Sequence, residues 1–220
     1  QNLSFAGNNS ATAGIKVNAG WFVTLEHCVF NNFKGTGAAA VYLTYTTGGF
    51  VGVTKITNCE FSDNVTHIYF DKSDTNVVII DKCSFYTHTY AILNGDGVNG
   101  VVSRNVNITN CLFESVSAPY DIYCYGGGQG WNIINNYFEQ NDANVNSPRI
   151  VFNAGFVYPS NQSITITGNI FSKQIGGAGG DALIYIAQGN GVIIKNNWNG
   201  FPTSGVVSNK YSVLATSLPN

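Results

Sequence analysis

Glu114 and Glu139 are the residues whose type and spacing most directly suggest chemistry. They lie 25 residues apart, and each directly follows a phenylalanine, Phe113 or Phe138. If those phenylalanines share one position of a stacked repeat, the glutamates stand on neighbouring rungs with Cα atoms ~5 Å apart. A retaining glycosidase holds its two carboxyl groups at about that separation, roughly 5 Å. Like charges so close repel, so one carboxyl is expected to stay protonated as an acid while the other ionises as base or nucleophile. Asp121 and Asp142 follow on the adjoining loop and strand and would fill one role at a larger, inverting separation. The plain alternative is two exposed glutamates that splay apart into water.

Substrate contacts are expected from tyrosine. Tyr42, Tyr69, Tyr123 and Tyr185 each sit in a short alternating apolar segment, and flat aromatic faces suit the C–H surfaces of sugars. Tyrosine is also favoured in strands whatever lies beside it. Asp121 and Arg149 occupy one position of neighbouring segments and read as a surface ion pair, with a substrate clamp as the alternative. No metal or cofactor is expected. Cys28, Cys59, Cys83 and Cys111, four of five cysteines, recur one per 24–31 residues, whereas zinc sites want short-spaced pairs. They read as small, reduced, buried hydrophobes. His27, His67 and His88 lack ligand spacing and are expected at the surface, and the clustered aspartates of a calcium site are missing.

These residues are positioned by a repeat. Ile56-Thr57-Asn58-Cys59-Glu60-Phe61 returns as Leu25–Phe30, Ile80–Phe85, Ile108–Phe113, Ile133–Phe138, Ile166–Phe171 and Ile193–Trp198, with Leu3-Ser4-Phe5 as the end of an eighth copy. The aromatic falls at 5, 30, 61, 85, 113, 138, 171 and 198, in steps of 24 to 33 residues. Such a period marks a stacked array. Each repeat parses into a first alternating strand, a Gly/Asn/Ser turn, a second strand ending at the Ile, and a third carrying Cys or Asn and the aromatic. Ile56, Cys59 and Phe61 all read as inward, which period-two alternation forbids unless a sharp corner intervenes. Asn58, Asn110, Asn135 and Gly168 fill that corner, as residues tolerant of left-handed backbone angles; Lys82, Lys195 and His27 are exceptions. No helical stripe with caps is present.

The predicted fold is therefore all-β: a right-handed single-stranded parallel β-helix of about eight coils, three short strands per coil, spanning residues 1–220 as one domain. At ~4.8 Å per coil the prism would be roughly 38 Å long. Columns of Phe, of Ile, and of Cys continuing as Asn136, Asn169 and Asn196 would fill it. Only 10% of residues are charged and the net charge is −2, which leaves no basic footprint for nucleic acid or lipid. No apolar run reaches the ~20 residues of a membrane span, and no signal peptide is expected within this sequence. The chain opens on what reads as the tail of a strand, as expected for a piece of a longer protein. The sequons reflect an asparagine-rich composition.

The cadence of Ile164-Thr165-Ile166-Thr167-Gly168-Asn169-Ile170-Phe171 resembles the pectate-lyase-like β-helix superfamily. The opening Asn2-Leu3-Ser4-Phe5-Ala6-Gly7-Asn8-Asn9 is similar to the first coils of bacteriophage tailspikes and capsule depolymerases. This resemblance implies a homotrimer in a virion tail that binds, and often cleaves, bacterial surface polysaccharide. The polygalacturonase signatures are missing, and only Arg104 and Arg149 supply guanidinium. From each aromatic to the next inward residue the chain takes 11, 7, 7, 9, 12 and 13 residues in turn. Long connections at both ends would leave a depression over the middle coils, floored by Tyr69 and Tyr123. Three functions stay open: a glycan hydrolase, a non-catalytic receptor-binding shaft, and a spacer whose outward Ile134, Ile170 and Ile194 face a neighbouring subunit.

Overall fold

A computed structural model describes residues 3–44, 51–71, 75–95, 103–115, 120–125, 128–140, 148–153, 161–173, 184–187 and 189–199. Every strand pairing among them is parallel, and each strand pairs with its counterpart one repeat on, so the chain winds as a β-helix. The third strands form the longest ladder, eight rungs from Leu3–Ala6 to Trp198–Asn199. Second strands stack from Gly20–Glu26 to Ile193–Lys195, and first strands from Ala13–Asn18 to Ile184–Ile186. Because Leu3–Ala6 is a lone rung, complete coils number fewer than the eight expected. A short fourth ladder, from Ser103–Arg104 to Gly189–Asn190, runs ahead of the second in the later coils and was not anticipated.

The corner between second and third strands is where the sequence placed it. His27, Asn58, Lys82, Asn110, Asn135 and Gly168 all have φ between 52° and 68°. That left-handed residue turns the chain so that the Ile before it and the Cys or Asn after it both point inward. Phe5, Phe30, Phe61, Phe85, Phe113, Phe138 and Phe171 then pile up as one column, successive ring centroids 4.6–5.1 Å apart. Rung spacing and the stacking distance of flat rings coincide, so each ring lies nearly parallel to the next. Gly128 shows the same closeness elsewhere: a Cβ there would meet Trp131 and Phe152 side chains at 2.8–2.9 Å.

The last copy departs from the expected register by one residue. Ile194, not Ile193, aligns with Ile166, and Trp198 aligns with outward Ile170. Asn196 (φ 54°) is therefore the corner in place of Lys195, and Asn197 continues the interior column in place of Asn196. The aromatic column ends at Phe171, while Trp198 and Ile193 are exposed and Ile194 packs against the core.

A second departure concerns the middle coils. The short connections after Phe61 and Phe85 are not loops: Glu60–Asp71 and Ser84–Asn94 are single strands that serve as third strand and next first strand at once. Asp63 and Thr87, both at positive φ, bend them. Third-strand and first-strand ladders thereby merge into one 13-stranded sheet.

Candidate functional site

Glu114 lies on Leu112–Ser115 and Glu139 on Tyr137–Gln140, and the two are register partners on adjacent rungs. Both are half-buried and outward, in a column that continues as Tyr86 on one side and Ser172 on the other. Pairing of the rungs is enforced by Phe113 and Phe138 directly before them, whose rings stack at 4.6 Å.

On the first strands of the same sheet, outward positions carry Tyr42, Tyr69, Leu93, Tyr123, Val151 and Tyr185 in sequence along the axis. Tyr42 and Tyr69 meet edge to face at 5.1 Å. The Tyr42 hydroxyl donates to Asp71 Oδ2 at 2.6 Å, and Lys16 Nζ lies 5.2 Å from the Tyr42 ring centroid. Tyr123 belongs to a denser group. Its ring centroid lies 4.6 Å from Tyr120, 4.3 Å from Tyr125 and 5.9 Å from Tyr90. Burial, with Tyr125 and Tyr120 nearby, pushes the Tyr123 phenol up to about 12, and burial and Tyr125 push Tyr90 higher still. These phenols therefore stay neutral at physiological pH and can both donate and accept.

Tyr90, Tyr120 and Tyr125 were not anticipated. A signal for two of them existed: Tyr90 and Tyr120 each stand two residues before an inward isoleucine, Ile92 or Ile122, and so share a column.

The family model described as right-handed β-helix region matches residues 13–199. The chain belongs to the right-handed β-helix family. No curated protein and no solved structure matches it.

Two expected site residues of this right-handed β-helix, Asp121 and Arg149, lie elsewhere than anticipated. Asp121 and Arg149 do pair, with Arg149 Nη2 2.6 Å from Oδ1 and Nε 2.7 Å from Oδ2, but in the interior and not at the surface. The cause is a bulge: the N–H groups of Asp121 and Ile122 both donate to the Arg149 carbonyl of the next coil, so two consecutive side chains point inward. Asp121 is thus out of reach of a polymer outside the helix. His67 and His88 are also buried, while His27 alone of the three is exposed. Asp142 lies outside the described residues, as do 141–147 and 174–183, the longer connections on which the expected depression depends.

A shallow groove of about 420 Å³ occurs on the corner between second and third strands, lined in part by Asn110, Asn135, Tyr137 and Ile170. Among the described residues, no three His, Cys, Asp or Glu side chains come together as a metal would require. All five cysteines are free and buried. The Cys59 thiol is pushed well up, first by its contact with Cys83 and then by burial, which makes it a poor nucleophile. Among the described residues no helix is long and apolar enough to cross a membrane.

Proposed function

We propose that this right-handed β-helix binds a bacterial surface polysaccharide along the tyrosine-bearing side of its merged sheet. We further propose that it hydrolyses a glycosidic bond there with Glu114 and Glu139. One observation carries the reading: two register-paired carboxylates and a tyrosine cluster face outward from one continuous sheet. In the retaining course, one glutamate protonates the leaving oxygen as the other attacks the anomeric carbon; water, deprotonated by the first, then releases the sugar. The neutral phenols would hold the chain by stacking and by hydroxyl hydrogen bonds. The setting we propose is a tailspike-like homotrimer on a virion, to which the exposed Ile170 and Trp198 would present a face for a neighbouring copy.

A second reading, receptor binding without cleavage, is favoured by the tyrosine cluster itself, which needs no carboxylate. Incubation with purified capsular and O-antigen polysaccharides, with product sizing and binding measured together, separates the two. Hydrolysis predicts that Glu114→Gln and Glu139→Gln each lower cleavage at least ~100-fold, the scale of losing an acid–base group, while binding persists. Binding that is lost in Tyr123→Ala, with no cleavage by the wild type, supports the shaft. Absence of binding to every glycan sinks both.

A further inference from the structure

A polar chain crosses the interior beneath the tyrosine cluster. Asn64 and His67 lie on Glu60–Asp71, His88 on Ser84–Asn94, Asp121 on Tyr120–Cys124, and Arg149 directly ahead of Ile150–Phe152. Its proton positions follow from its hydrogen bonds. The Phe33 N–H donates to Asn64 Oδ1 at 2.9 Å, so Asn64 Nδ2 is the donor to the Phe30 carbonyl (3.1 Å) and to His67 Nδ1 (2.8 Å). His67 Nδ1 is then an acceptor, and the neutral ring carries its hydrogen on Nε2. His88 Nε2 donates to Asp121 Oδ1 at 2.9 Å, which leaves Nδ1 of His88 as a bare lone pair. Among the described residues neither His67 Nε2 nor His88 Nδ1 has a hydrogen-bond partner, both are buried, and the two ring centroids lie 4.9 Å apart.

We infer that His88 is an acid-operated latch: a proton taken up at its Nδ1 unfastens the junction that fixes the floor of the tyrosine cluster. Of the two buried imidazoles, His88 is the one with a nitrogen that can gain a proton without breaking a bond. Doing so places a charged N–H where no acceptor awaits it, beside the His67 ring, whose centroid is 4.9 Å away. The groups that bear on the two rings are few. Asp121 favours the added charge on His88 and Arg149 opposes it; the Tyr86 carbonyl favours charge on His67 and His88 opposes it, and the Asn64 amide and the Phe61 and Phe85 rings flank His67.

Burial outweighs Asp121 and holds His88 below the usual imidazole value, and burial followed by His88 holds His67 well below it. The unfolded chain, at ~6.5, therefore binds these protons first. Stability is complete above that value and is lost as pH falls below it. Burial pushes the Asp121 carboxyl up, but Arg149 and His88 together hold it below its ordinary range, so its contribution goes later in the same descent. Tyr120 and Tyr123 flank Asp121 and Ile122 in the chain, so loosening here reaches the aromatic cluster directly.

The test is the urea midpoint of wild type and His88→Gln, whose amide keeps a donor for Asp121 but cannot titrate, between pH 8 and pH 5. The wild-type midpoint should fall steeply below about pH 6.5, and the variant's should fall less, with roughly one fewer proton taken up on unfolding. Equal slopes overturn the latch. Should the variant fail to fold, histidine ¹⁵N shifts of the wild type decide instead. A His88 that holds its hydrogen on Nε2 and stays neutral well below pH 6.5 supports it, and one that titrates at an ordinary value in the folded protein overturns it.

Discussion

Lys82 is held at φ 53°, a left-handed conformation that costs a residue with a Cβ about 1–2 kcal/mol. Asn58, Asn110, Asn135 and Asn196 meet the same demand with a side chain suited to it. What Lys82 offers in return is its charge beside Asp81. Burial raises that carboxyl, but hydrogen bonds from Thr109 and Asn110, helped by Lys82 and Lys55, leave it below its usual value. An exposed pair of this kind contributes about 0.2–1 kcal/mol, and Asp81 keeps its two hydrogen bonds without it. Backbone strain should therefore decide the outcome. Lys82→Asn is expected to raise stability by about 0.5–1 kcal/mol, and Asn110→Val, a β-branched residue at the same corner, to lower it by about 1–2 kcal/mol. Urea denaturation checks both, and a more stable Asn110→Val would refute the account of the corner.

The interior column behind the corner changes chemistry halfway along the helix without changing its task. Cys59, Cys83 and Cys111 aim their thiols at the carbonyls of Leu25, Ile56 and Ile80, at 3.5–3.7 Å. Asn136, Asn169 and Asn197 aim amide nitrogens at Ile108, Ile133 and Ile166, at 2.9–3.0 Å. The asparagines do one thing more: each Oδ1 accepts the N–H of the column residue one coil earlier, Cys111, Asn136 or Asn169. Cys111→Asn would extend the ladder to the Cys83 N–H, and stability should rise by about 1 kcal/mol, one net hydrogen bond. Asn169→Ala strands the Asn136 N–H and the Ile133 carbonyl in the interior and should cost about 3 kcal/mol. Chemical denaturation of both variants tests this, and an Asn169→Ala as stable as wild type would remove the ladder's energetic role. The column was legible in sequence because first Cys and then Asn, both short, recur at one position between Ile and Phe. Its last member was misplaced because Ile193 and Ile194 allow two registers one residue apart, and Trp198 drew the reading to the wrong one. The corner preference, Asn196 over Lys195, held the answer.

Across the whole molecule the repeat carried the fold, since every inward side chain of one coil must meet its like in the next. What alternation could not carry was the junction of third and first strands. Glu60–Asp71 and Ser84–Asn94 pass through it with a bend, and Asp121 and Ile122 turn inward together, so charged residues and histidines that read as exposed are sealed inside. The glutamate pair was legible from the Phe spacing alone, whereas the full tyrosine cluster needed both strands of that junction. In such a stack each coil is stabilised mainly by its two neighbours, so damage should depend on how many neighbours a residue has. Phe113 is fully buried with rings on both sides, Phe85 at 4.8 Å and Phe138 at 4.6 Å, while Phe5 is half-buried and, among the described residues, stacks on Phe30 alone. Phe113→Ala should therefore cost about 3–5 kcal/mol and Phe5→Ala much less. Hydrogen exchange gives the sharper reading. Protection should fall on both sides of Phe113, in the rungs of Phe85 and Phe138, because the gap separates two blocks of coils, whereas Phe5→Ala should fray one end. A uniform loss of protection along the axis in Phe113→Ala would mean that the coils unfold as one indivisible unit.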